Sequence, residues 1–161
     1  MHSAVLADTS STAPANEVLG MTRVEPQGLN MDAKGIVAAN VFSSPAYDEK
    51  SFAGVSHERG IWQEDQYWLL EAALYAPAHE KTIAVNLYTE VFLIFNFVIN
   101  AICSHLDQDD LYEIENLDRE KVYDLRERIR MVFEGFFVRK MPDQEACFEE
   151  RNPLLGSGAG N

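Results

Sequence analysis

Positive charge is scarce in this chain. Its 161 residues carry 13 Lys+Arg against 26 Asp+Glu, a formal net charge of −13. Phosphate neutralisation needs clustered Lys and Arg, and no basic–aromatic stripe is present, which argues against a nucleic-acid binder. The same deficit argues against an anionic membrane surface. Cysteine is scarce as well: Cys103 and Cys147 are the whole supply, too few for a disulfide framework. No Cys-x-x-Cys or His-x-x-x-His pairing exists, and Cys103 and His105 stand two apart on a predicted helix and so face different sides. A metal site therefore lacks its ligand spacing. Long apolar runs are missing too. The longest, Val91 to Cys103, is thirteen residues interrupted by Asn96 and Asn100, whereas a bilayer span takes about 20. The first twenty residues have no basic n-region and no sustained apolar h-region, so no secretory signal is expected. Two unlinked thiols without a signal point to the cytosol.

Catalytic motifs are equally thin. His57-Glu58 is the first candidate for an acid–base pair, but position 61 is Ile where a metalloprotease helix would carry its second His. Nothing near the pair supplies a nucleophile or an oxyanion site. No Gly-rich phosphate loop and no recognisable Ser/His/Asp spacing appears. The composition implies a non-enzyme without cofactor or metal. An enzyme using His57 and Glu58 is the competing reading.

What is present is material for one helical domain. Hydrophobic content of 47% and charged content of 24% suit a soluble globular protein. Residues 1–40 lack aromatics and sustained periodicity and read as a disordered or weakly ordered tail, with Met31 a possible internal start. Residues 41–61 bring apolar mass, but Pro45, Gly54 and Gly60 break any long element, so an irregular packed segment with at most one short turn or strand is expected. A helix then runs from Trp62 or Gln63 to Ala76, with acids in its first turn and Pro77 as its stop. The second helix starts between Thr82 and Asn86 and ends by His105 or Leu106. It holds the apolar run, which is apolar almost all round and predicts a buried central helix, with Cys103 a small buried hydrophobe. Leu111 to Glu115 reads as a short strand or an extended loop.

The third helix has the clearest start. Asp118 is its N-cap, with Leu117 and Val122 as a hydrophobic staple. Val122, Leu125, Ile129, Val132, Phe133 and Phe136 form its apolar stripe, while Asp124 and Arg128 pair at i, i+4 on the wet side. It ends near Phe137, and residues 143–150 add a short turn. Gly135 would let another backbone come close, but close packing of a neighbouring helix is the expected reason for it. Residues 151–161 read as a flexible tail. The expected fold is all-α: a small bundle of about three main helices around a buried central one, comprising residues 41–150.

One stretch stands out chemically. Asp107, Asp109, Asp110, Glu113 and Glu115 place five acids in nine residues with no base among them. An EF-hand loop would need Gly and Glu where Tyr112 and Asp118 stand. The stretch is either a solvated loop or an acidic patch offered to a basic partner.

Ser51-Phe52-Ala53-Gly54-Val55-Ser56-His57-Glu58, then Trp62, then Tyr67-Trp68-Leu69-Leu70-Glu71 resemble the opening of a family of bacterial polymorphic-toxin immunity proteins, the immunity protein 41 type. His105 through Leu117 and Arg126 through Phe137 are similar to it as well, so the resemblance spans about Tyr47 to Pro142. It implies a non-catalytic cytoplasmic protein that binds and neutralises the C-terminal toxin domain of a contact-dependent or otherwise secreted toxin. The acidic patch as the contact for a basic toxin is inferred from charge, not from the family. The alternative is a small acidic adaptor or chaperone-like module with no toxin partner.

Overall fold

The computed structural model describes residues 32–156. Among these residues there are six α-helices and no β-strand: α1 (Ala33–Ala39), α2 (Phe52–Arg59), α3 (Glu64–Ala78), α4 (Val85–Leu106), α5 (Arg119–Val138) and α6 (Gln144–Cys147). The expected all-α class holds, with α3, α4 and α5 as the main helices. The short α1 and α2, together with α5, each pack against both α3 and α4.

The helix ends follow local chemistry. Asp118 caps α5 by accepting from the Lys121 N–H at 2.8 Å, and the staple pair Leu117 and Val122 both face the core. At its other end Arg139 takes a left-handed φ of 59°. The Arg139 N–H donates to the Phe136 carbonyl at 3.2 Å and the Lys140 N–H to Gly135 at 2.8 Å, which is a Schellman closure. The chain then folds back so tightly that a Cβ on Gly135 would lie 2.8 Å from Pro142 Cδ and 3.0 Å from the Lys140 carbonyl oxygen. Gly135 therefore admits a returning backbone, not a neighbouring helix. Pro77 does not stop α3; the helix runs one residue past it to Ala78, because a proline in the last turn costs only one ladder bond.

The expected buried central helix is the largest correction. α4 buries a single stripe of Leu87, Val91, Ile94, Val98 and Ile102. On the opposite side Phe92 is 55% and Leu93 43% exposed, Asn96 and Asn100 are exposed, and Cys103 is exposed instead of buried. The helix enclosed on most sides is α3, where nine of fifteen residues are buried. Small side chains at Ala72, Ala73 and Ala78 let neighbours approach α3 closely. Apolar content thus exceeds what α5, α1 and α2 can cover on α4. The expected bounds of this helix hold, with α4 at Val85–Leu106, but the thirteen-residue run understated its apolar length: the 22-residue helix is long and apolar enough to cross a membrane by length and composition.

Three weaker expectations change as well. Residues 33–39 form α1 with Val37 fully buried, so the tail assignment to residue 40 reached too far; residues 1–31 lie outside the described residues. The 41–61 segment contains a real helix, α2. Its Gly54 is required by packing: a Cβ there would meet the Glu49 carbonyl oxygen at 2.6 Å. The C-terminal tail is anchored at its start, since Asn152 is buried and donates to the Trp68 carbonyl at 2.8 Å; residues 157–161 lie outside the described residues.

Candidate functional site

The five predicted acids lie on one loop that leaves the C-terminus of α4. Leu111 to Glu115 is an extended loop, not a strand. The Asp107 carboxylate accepts from the Asp109 N–H at 3.0 Å and the Asp110 carboxylate from the Tyr112 N–H at 2.9 Å, two Asx turns that make the acids shape their own backbone. The Tyr112 hydrogen bond, aided by Ser104, holds the Asp110 carboxyl below its usual pKa. Asp107, Asp109, Asp110, Glu113 and Glu115 are all exposed. Among the described residues none of them sits within ion-pair distance of a base.

The loop is pinned where it returns to the core. Ile114 is buried, and its N–H donates to His105 Nδ1 at 2.9 Å. That bond needs the Nδ1 lone pair, so a neutral His105 carries its proton on Nε2. The Glu115 N–H donates to the Gly60 carbonyl at 2.8 Å. The Asn116 amide bonds both backbone groups of Trp62, each at 2.8 Å. Gly60, with φ of 60°, lies so close beneath that a Cβ would stand 2.8 Å from the Glu113 carbonyl oxygen. Leu111 is fully exposed at 101%, in the middle of the acids, a feature that alternate-residue patterning did not single out.

His57 and Glu58 sit at the end of α2, 3.9 Å apart and both more than half exposed. The His57 ring packs edge-on to Phe42 at 5.1 Å, and no nucleophile stands beside it in these contacts. Among the described residues no three His, Cys, Asp or Glu side chains converge as a metal site would require.

Sequence reasoning missed a buried ionic cluster. Arg128 is not on the wet side with Asp124. It donates from Nε and Nη2 to the two carboxylate oxygens of Glu71, each at 2.7 Å, with side-chain exposures of 7% and 0%. Its guanidinium lies between the rings of Trp68 and Phe148, at 4.4 and 4.1 Å. The chain after α5 straps over this pair: Gln144 and Asn152 bond Glu71, and the Glu150 carbonyl accepts from Arg128. Burial pulls the Arg128 pKa down, but the hydrogen bonds and charge of Glu71 outweigh it and the net shift is upward. A cleft of about 350 Å³ beside Phe148 is lined by Lys121, Asp124, Glu127 and Glu150 among others. The cluster is filled by its own partners and reads as structural. A signal for it was present, because Arg128 falls inside the stripe formed by Leu125, Ile129 and Val132.

Compared with protein-family models, curated proteins and solved structures, the chain matches none. Its function is therefore argued from its own geometry.

Proposed function

We propose that this is a non-catalytic cytoplasmic immunity protein, which binds and neutralises the toxin domain of a cognate bacterial polymorphic toxin through the 107–115 loop. The observation that carries the reading is the loop itself: five exposed acids, none within ion-pair distance of a base among the described residues, on a backbone fixed by Asx turns and by bonds to Gly60 and Trp62. Unpaired acids on a prepaid backbone attract a basic partner at little ordering cost. Leu111 offers an exposed apolar anchor within the acidic loop. The uncharged outer side of α4 favours a second reading, a small acidic adaptor with no toxin partner.

The test is association with the toxin domain encoded beside this protein's gene. Replacing Asp109 and Asp110 by Lys should slow association by roughly tenfold and flatten its salt dependence. No complex with an adjacent toxin domain rejects the immunity reading. A complex whose on-rate ignores both substitutions rejects the loop as its contact.

A further inference from the structure

We infer that the cleft beside Phe148 is a binding site for a basic side chain, arginine or lysine, presented by a protein partner. The cleft holds about 350 Å³, within the range of about 300–1,000 Å³ typical of ligand pockets. It opens between α5 and the strap that follows it, and Trp68, Leu125, Met131 and Phe148 supply its apolar walls. Such walls suit the methylene stem of a long basic residue, whose charged head stays at the polar rim.

Ion pairing decides the sign of the occupant. Two bases line the cleft, and both are engaged: Arg128 by the Glu71 oxygens at 2.7 Å and Lys121 by Glu150 at 3.0 Å. Of the four acids on the lining, Glu150 holds Lys121 and Glu127 holds Arg130 at 3.2 Å. The other two, Asp124 and Glu149, are exposed and have no base within ion-pair distance among the described residues. An anionic ligand would meet this excess of carboxylates and be repelled. A resident cation already feels the same field. The Lys121 ammonium holds its proton more tightly than usual: its bond to Glu150 is the largest cause and outweighs burial, and the carboxylates of Glu150, Glu64 and Asp124 add to it. A metal ion does not fit instead, because no three His, Cys, Asp or Glu converge among the described residues. A guanidinium or ammonium needs no such convergence, since its several N–H groups donate in different directions. The cleft shares no lining residue with the 107–115 loop, and its test does not use the toxin domain.

The probe is a capped Gly-Arg-Gly peptide, titrated into the full chain at low salt. Amide resonances of Asp124, Phe148 and Glu149 should shift. Cys147 lines the same cleft and is exposed, so in a Cys103→Ser background saturating peptide should slow its alkylation by iodoacetamide severalfold. Asp124→Asn with Glu149→Gln should weaken the peptide at least about fivefold, with helical circular dichroism unchanged. Asp109→Lys with Asp110→Lys should leave the cleft shifts in place, which separates this site from the loop. The inference is overturned by the absence of shifts at these residues, by equal shifts with capped Gly-Gln-Gly, by unslowed alkylation, or by binding that survives the Asp124 and Glu149 substitutions. Methylguanidinium bound as tightly as the peptide would assign the cleft to a free small cation and overturn it as a protein contact.

Discussion

Arg128 shows how much one residue's role depends on what lies across the core. Its two short bonds to Glu71 and its place between Trp68 and Phe148 satisfy a charge that burial would otherwise expel. Arg128→Ala leaves the Glu71 carboxylate buried and unpaired, and should cost about 3–5 kcal/mol in urea unfolding. Glu71→Leu with Arg128→Met should recover most of that loss, since no charge is left behind. A cost near zero for Arg128→Ala would refute the account. Two tyrosines beside the cluster give it a pH signature. Burial pushes Tyr75 from 10.0 to about 12 and Tyr67 well above 10.0. The folded state holds these protons more tightly than the unfolded chain does. Their contribution is complete below pH 10.0 and is lost as pH rises towards about 12. Urea midpoints should therefore fall across that window, with Tyr67 and Tyr75 the last tyrosines to ionise in absorbance titration. A flat midpoint, or six tyrosines titrating together in the folded protein, would contradict this.

The acidic loop turns on its own Asx bonds, but where it returns to the core is set from outside itself. Gly60 contributes by having no side chain: its φ of 60° and the Glu113 carbonyl at 2.8 Å from a would-be Cβ both forbid alanine. Gly60→Ala should cost about 1–3 kcal/mol and speed amide hydrogen exchange at Ile114 and Glu115 more than in α5. Equal protection of the loop in both proteins would show that its anchor lies elsewhere. The same logic explains the C-terminal strap. Its four-residue α6 is too short to hold alone, and it stays in place because Gln144, Phe148 and Asn152 seal the ionic cluster.

At the scale of the whole molecule, the charge of −13 works against the compact state through self-repulsion. Added salt should raise the melting temperature, because screening shortens the reach of surface charges to about 8 Å at physiological ionic strength. A melting temperature that falls with moderate sodium chloride would mean that attractive surface pairs outweigh the repulsion. The surface is uneven: acids gather on the 107–115 loop, while α4 carries Glu90 as its one Asp, Glu, Lys or Arg.

The sequence alone determined the features that depend on near neighbours. The cap at Asp118, its staple, the extent of α4 and the apolar stripe of α5 are one-turn or one-face relations, and helical periodicity reports them directly. The exposure of the five acids followed from their number and spacing. Tertiary structure decided what depends on distant partners. Whether the apolar run is enclosed rests on how many helices reach it, and among the described residues one side of α4 is covered. Whether Arg128 meets water or Glu71, 57 residues away in sequence, rests on α3 and α5 lying side by side. α1 and α2 escaped notice because short helices owe their stability to the surfaces they pack on, and those surfaces exist only once α3 and α4 are in place.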